Sequence, residues 1–115
     1  MQNPCLVSYK ILNTPEFKKE IKRLSSKYPS MHSDFSNFLE NLREDPIQGK
    51  SLGNNCYKAR LSIASKRRGK SGGARVITFV QVISKIIILI SIYDKSERAD
   101  ITDKEIKERL KNYLP

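Results

Sequence analysis

One histidine and two cysteines stand among 115 residues, too few and too scattered for a metal centre. Cys5 and Cys56 form no CxxC pair and His32 joins no cluster of ligands, which argues against zinc and leaves no cofactor expected. His32 falls in a helical segment, where a surface position is the simple reading. Five prolines and five glycines are too few for a disordered or linker-rich chain. The longest apolar stretch, Ile86 to Ile92 with Ser91 inside it, is far too short to span a bilayer. At the N-terminus Lys10, Glu16, Lys18 and Lys19 interrupt any apolar run that a signal peptide would need. A soluble cytoplasmic protein with reduced thiols is the expectation, folded as a single domain over residues 1–115.

Acid is the other scarcity. From Pro46 through Tyr93 there is no Asp or Glu, while Lys50, Lys58, Arg60, Lys66, Arg67, Arg68, Lys70, Arg75 and Lys85 all fall within that stretch. The whole chain holds 22 Lys+Arg against 12 Asp+Glu, a formal charge of +10. Clustered cations repel one another, so such a region favours a polyanionic partner: nucleic acid, an anionic membrane surface or an acidic protein. A solvated basic surface without a partner is the plainer alternative.

Periodicity divides the chain. Leu6 to Leu12 alternates as a first strand. Thr14-Pro15-Glu16 supplies an N-cap, a proline at the first helical position and an acid in the first turn. Phe17, Ile21, Leu24 and Tyr28 then make one helical stripe, ended by Pro29. A second helix starts near Ser30 or Ser33, carries Met31, Phe35, Phe38, Leu39 and Leu42, and stops at Asp45-Pro46. The stretch Ile47 to Asn55, with Gly49, Gly53 and Asn54-Asn55, reads as a loop.

Beyond it the period drops to two. Cys56 to Ile63, Ala74 to Ile83 and Lys85 to Tyr93 read as strands, the last apolar on both faces as a covered inner strand should be. Thr102-Asp103-Lys104-Glu105 is a capping box, opening a short helix with Ile106, Leu110 and Leu114. The expected architecture is α+β in the order β-α-α-β-β-β-α, a small, mainly antiparallel sheet packed against a helical hairpin.

Alternation puts Lys58 and Arg60 on the same face of their strand, opposite Tyr57, Ala59, Leu61 and Ile63, and Arg75 opens the neighbouring strand. Such a face can cradle a phosphodiester, with arginine offering bidentate contacts. Ordinary edge-strand protection by basic residues accounts for the same pattern. The segment Ser65 to Gly73, holding Lys66, Arg67, Arg68 and Lys70, lacks the glycine spacing and following helix of a P-loop. It reads as a basic hairpin tip that grips nucleic-acid backbone without sequence specificity.

The run CYKARL, then ARVITFV, then a hydrophobic strand ending IYDKSERADIT before a short helix, resembles the RelE/ParE toxin superfamily of type II toxin–antitoxin systems. GKSGGARVITF and IYDKSERADITDKEI look most like its RelE/HigB-type mRNA interferases. The resemblance implies a RelE-like fold and a ribosome-dependent endoribonuclease that cuts messenger RNA and inhibits translation. Its chemistry is attack of a ribose 2′-hydroxyl on the adjacent phosphate, which needs a base, cations for the phosphorane and an acid for the leaving 5′-oxygen. By position it implies Lys58 as base, provided its cationic neighbours favour the neutral amine, Arg75 on the scissile phosphate and Arg60 on the developing charge.

The likeness breaks at two places: Ser96 follows Lys95 where RelE has an arginine, and Thr102 stands where RelE has a tyrosine. Lys95 or Arg98 is then the candidate for the missing cation, and Tyr93 for the aromatic that stacks on a base. With so few histidines to draw on, proton transfer would rest on Lys and Arg, the ribosome supplying orientation. The implied partners are a cognate antitoxin carrying a helix-turn-helix, the ribosome and its messenger RNA, and operator DNA through the antitoxin. A ParE-like inhibitor of DNA gyrase and a non-catalytic nucleic-acid-binding domain remain the alternatives.

Overall fold

The computed structural model describes residues 9–66 and 73–113. Its elements are β1 (Lys10–Asn13), α1 (Pro15–Lys27), α2 (Met31–Glu44), β2 (Lys50–Gly53), β3 (Cys56–Leu61), β4 (Ala74–Gln81), β5 (Ile86–Asp94) and α3 (Asp103–Leu110). Five strands form one sheet in the order β1-β5-β4-β3-β2. β1 runs parallel to β5, and the other neighbours are antiparallel. The fold is α+β.

Local chemistry explains the element ends. Thr14 caps α1: its side chain accepts from the Phe17 N–H at 3.1 Å, and its hydroxyl reaches the Leu89 and Ile90 carbonyls of β5 at 3.1 and 3.2 Å. One residue thus starts the helix and docks it on the sheet. α2 begins after Ser30, whose hydroxyl bonds Asp34 at 2.7 Å, and ends at Asp45 before Pro46. The capping box at Thr102 and Glu105 forms as the sequence predicts.

One difference from the sequence reading concerns residues 47–55. They are not all loop: Lys50–Gly53 is strand β2, paired with β3, so the order is β-α-α-β-β-β-β-α. Asn54 and Asn55 both have positive φ, 52° and 64°. Two left-handed residues in succession are the requirement of a two-residue type I′ hairpin turn, which asparagine meets at low steric cost. The Asn-Asn pair is therefore a hairpin signal. The strands expected to reach Ile83 and to start at Lys85 instead stop at Gln81 and start at Ile86, around a turn in which Lys85 is left-handed at φ 57°.

Apolar layers cover both faces of the sheet. On one, Phe17, Leu24, Met31 and Leu42 of the helical hairpin pack on Ala59, Leu61, Val76, Leu89 and Ile92. On the other, Ile101 and α3, through Ile106 and Leu110, pack on Cys56, Phe79, Ile88 and Ile90. Because α3 has only eight residues, it covers part of its face and, among the described residues, leaves the rest open.

A β-bulge decides what that open part carries. Ile77 pairs with Ser91 and Thr78 with Leu89, leaving Ile90 as the extra residue. Side-chain alternation inverts there. Ile92 and Asp94 turn toward the helical hairpin, and Tyr93 joins the α3 face. The bulge's backbone is satisfied from the side. Glu20 of α1 accepts from the Ile92 N–H at 3.2 Å, Arg109 of α3 donates to the Ile90 carbonyl at 3.0 Å, and the two side chains pair at 3.1 Å. Among the described residues no helix is long and apolar enough to cross a membrane.

Candidate active site

The sheet register builds the site. Arg60 of β3 lies opposite Arg75 of β4, and Arg75 opposite Tyr93 of β5. Cross-strand neighbours on one face have Cβ atoms about 5 Å apart, so these three side chains form one row across the open face. Lys58, two residues from Arg60, is on the same face, and Lys50 of β2 stands opposite Lys58. Lys95, the residue after β5, closes the far side. The result is an open groove of about 680 Å³ lined by Gln48, Gly49, Lys50, Lys58, Ala59, Arg60, Arg75 and Lys95.

Its wall is tightly built. Gly49 has φ +84°, and a Cβ there would lie 2.0 Å from the Lys58 carbonyl oxygen. Only glycine lets the incoming chain press against the strand that carries Lys58.

Arg75 is the unusual group. It is 5% exposed, yet among the described residues its guanidinium makes one hydrogen bond, to the Ala74 carbonyl at 3.2 Å, and no carboxylate pairs with it. Withdrawing a guanidinium from water is costly unless acceptors or an anion compensate. Among the described residues Lys50, Arg60 and Lys95 also form no ion pair. An anion entering the groove would meet four uncompensated cations.

One acid reaches the site. Asp100 Oδ1 accepts from the Lys58 ammonium at 3.0 Å, from the Tyr93 hydroxyl at 3.3 Å and from the Ile101 N–H at 2.8 Å. The Lys58 bond, the Ile101 amide and the Tyr93 hydroxyl together hold its carboxyl below the usual range. Burial, helped by the Asp100 charge, pushes the Tyr93 phenol up to about 12, with Arg75 and Arg98 pulling the other way. The phenol is therefore protonated at neutral pH and donates.

Of the residues expected at the site, Lys58, Arg60, Arg75 and Lys95 come together in the groove. Tyr93 adjoins them but is 5% exposed, with the Arg98 guanidinium 5.9 Å from its ring centroid. Its hydroxyl donates to Asp100 and its ring lies under Arg98. Arg98 is engaged beside the groove: it pairs with Glu105 and donates from Nε to the Asp100 carbonyl at 2.8 Å. Lys66 is drawn to the opposite face, where it bonds Asp94 at 2.5 Å and the Ser96 hydroxyl at 3.0 Å. Arg67, Arg68 and Lys70 lie outside the described residues.

The two departures from RelE have structural employment. Ser96 bonds Asp94 through both its N–H (2.9 Å) and its hydroxyl (2.7 Å), and Thr102 caps α3. His32 is exposed on α2. Among the described residues no group of three or more His, Cys, Asp or Glu could hold a metal ion. The sequence reading missed two site residues. Lys50 lies in a short strand whose flanking Gly49, Gly53 and Asn54-Asn55 give a loop signal. Asp100 was hidden because its contacts span up to 42 positions in sequence.

No curated protein matches the chain in a sequence search. Among solved structures, a double arginine-to-alanine variant of the Escherichia coli toxin RelE in the free state superposes with a TM-score of 0.61, at 20% identity over 94% of this chain and 100% of that one. The RelBE2 toxin–antitoxin complex from Mycobacterium tuberculosis gives 0.54, at 14% identity over 83% of this chain and 97% of that one. These likenesses show a shared fold. The family model described as the RelE toxin of the RelE/RelB toxin–antitoxin system matches residues 10–113, nearly all of the chain. Taking in the helical hairpin and the cationic sheet face alike, that match shows that the chain belongs to the RelE toxin family.

Proposed function

We propose that this chain, a single RelE-like unit over residues 1–115, is the endoribonuclease toxin of its system and cleaves messenger RNA in the ribosomal A site. The supporting observation is Arg75: a nearly buried guanidinium with no acidic partner among the described residues, at the centre of a row facing an open cationic groove. A scissile phosphate supplies the missing counter-charge, and the site is most stable when one is bound.

In the proposed reaction the 2′-hydroxyl attacks the neighbouring phosphorus. The O2′–P bond forms, the P–O5′ bond breaks, and the products are a 2′,3′-cyclic phosphate and a 5′-hydroxyl. Lys58, after giving its ammonium proton to solvent, takes the 2′ proton. Arg75 holds a non-bridging oxygen, Arg60 and Lys50 offset the phosphorane charge, and the Lys95 ammonium protonates the leaving oxygen. Arg98 acts from beside the groove, through Asp100. Arg67, Arg68 and Lys70 serve the RNA backbone beyond the scissile site, whereas Lys66 is held by Asp94 on the opposite face. Placement of the message by the ribosome substitutes for a stronger acid or base, since orientation alone accounts for much of a rate enhancement.

The work is cytoplasmic, where ribosomes and message are. An antitoxin with an acidic segment that folds on binding would silence the groove and, through a helix-turn-helix, carry the pair to operator DNA.

The test is primer extension on a defined message, with and without translating ribosomes, comparing wild type with Arg75→Ala. Ribosome-dependent cuts that drop at least about 100-fold in the variant are expected, the scale of a lost charge-stabilising contact. An intact message in every lane overturns the nuclease reading and moves gyrase inhibition or plain RNA binding to the front.

A further inference from the structure

Resting on the nuclease reading, we infer that Asp100 is a positioning residue: its carboxylate aims Lys58 at the Arg60–Arg75–Tyr93 row and stabilises the ammonium that Lys58 becomes when it takes the 2′ proton.

Three features carry this. First, the acceptor is fixed. Oδ1 is held by the Ile101 N–H at 2.8 Å and by the Tyr93 hydroxyl at 3.3 Å, and the Asp100 carbonyl by Arg98 Nε at 2.8 Å. Tyr93 is itself buried, so the carboxylate hangs from a rigid member of the sheet although its side chain is 61% exposed.

Second, Lys58 needs such a guide. A lysine stem has four rotatable bonds, and without a fixed acceptor its ammonium samples much of an open groove. The 3.0 Å bond to Oδ1 confines it to the side where Tyr93 and Arg75 lie. Third, an acid beside a phosphate-binding groove, bonded to one of its lining residues, opposes binding, since it repels the ligand. Its place there is intelligible if it acts on the chemical step, as a base oriented by a third group is a recurring arrangement in nucleophile activation.

Proton bookkeeping closes within the proposed reaction. The 2′ proton ends on Lys58 and a proton leaves Lys95 for the 5′-oxygen. Asp100 stays ionised throughout and forms no bond to the substrate.

The experiment uses the intact protein on ribosomes programmed with a defined message, measuring single-turnover cleavage, and a second message blocked by 2′-O-methylation at the scissile ribose, measuring binding. Asp100→Asn keeps the shape and a neutral acceptor but loses the charge. It should cleave at least about ten-fold more slowly, less than the roughly 100-fold or more supplied by a group that transfers the proton itself, while binding the blocked message as tightly as wild type or more so. Asp100→Glu, which restores the charge, should recover part of the rate. Side-chain exposure makes both variants compatible with folding, and thermal melting checks it. Wild-type cutting with an equally fast or faster Asp100→Asn overturns the inference. So does equal loss of rate and binding, which would mark a merely structural role. If wild type does not cut, the nuclease reading falls and this inference falls with it.

Discussion

Asp94 ends β5 on the face opposite the groove, and replacing it should destabilise the whole fold. Its side chain is 0% exposed. Oδ1 accepts from Lys66 Nζ at 2.5 Å, from the Ser96 N–H at 2.9 Å and from the Ser96 hydroxyl at 2.7 Å. Oδ2 accepts from the Tyr28 hydroxyl and faces Lys27 Nζ at 3.9 Å. The carboxylate therefore ties together the end of α1, the short 3-10 turn Ala64–Lys66 and the exit of β5. Asp94→Ala strands an ammonium whose side chain is 11% exposed, together with a tyrosine hydroxyl. Breaking a buried pair by removing one partner costs about 3–5 kcal/mol. Because Lys66 can swing out toward water, about 3 kcal/mol is expected, and about 2 kcal/mol for Asp94→Asn, which keeps neutral hydrogen bonds.

The pH dependence supplies a second check. Burial by itself would raise the Asp94 carboxyl, but the hydrogen bonds from Lys66, Tyr28 and Ser96 outweigh it and hold the group far below the usual range. A depressed folded-state value means that its contribution is complete above the unfolded value, about 4, and is lost as pH falls below it. In urea unfolding, the gap between wild type and Asp94→Asn should be full at pH 7 and shrink steadily below pH about 4. Equal midpoints at pH 7, or a gap unchanged at low pH, would refute the assignment of Asp94 as an ionised hub.

Two further outcomes follow from the backbone. Gly49→Ala should cost about 2 kcal/mol, since it combines positive φ with a Cβ placed 2.0 Å from the Lys58 carbonyl oxygen. It should also slow cleavage by displacing Lys58; denaturant unfolding and the ribosomal assay read the two effects. Thr102→Ala should remove the cap of α3 at a cost of about 1 kcal/mol and leave the cleavage rate as it is, because the Thr102 side chain bonds only within the capping box. A large rate loss in a variant that still melts as wild type would instead place Thr102 in the site.

The sequence by itself determined the elements whose signals are local. The Thr14-Pro15 start of α1, the Asp45-Pro46 stop of α2, the capping box at Thr102 and the period-two text of β3 and β4 all depend on neighbours within a few positions, and all appear where expected except that β3 ends at Leu61 and β4 at Gln81, each two residues early. The acid-free run from Pro46 to Tyr93 likewise located the cationic half, and strict alternation along β3 put Lys58 and Arg60 on one face.

Tertiary structure decided the rest. The bulge at Ile90 arises from how β5 pairs with β4, and it turns Tyr93 to the groove and Asp94 away from it, an inversion that alternation along β5 does not foretell. Lys66 and Lys95 belong to the same basic inventory, yet Asp94 draws one to the back of the sheet while the other lines the groove. Lys50 reached the site through pairing across the Asn54-Asn55 turn, and Asp100 through bonds to a strand far behind it in the chain. Periodicity reports which way a side chain points along its own strand. Which charges then meet depends on register and on partners distant in sequence, and those are settled only when the sheet closes around its core.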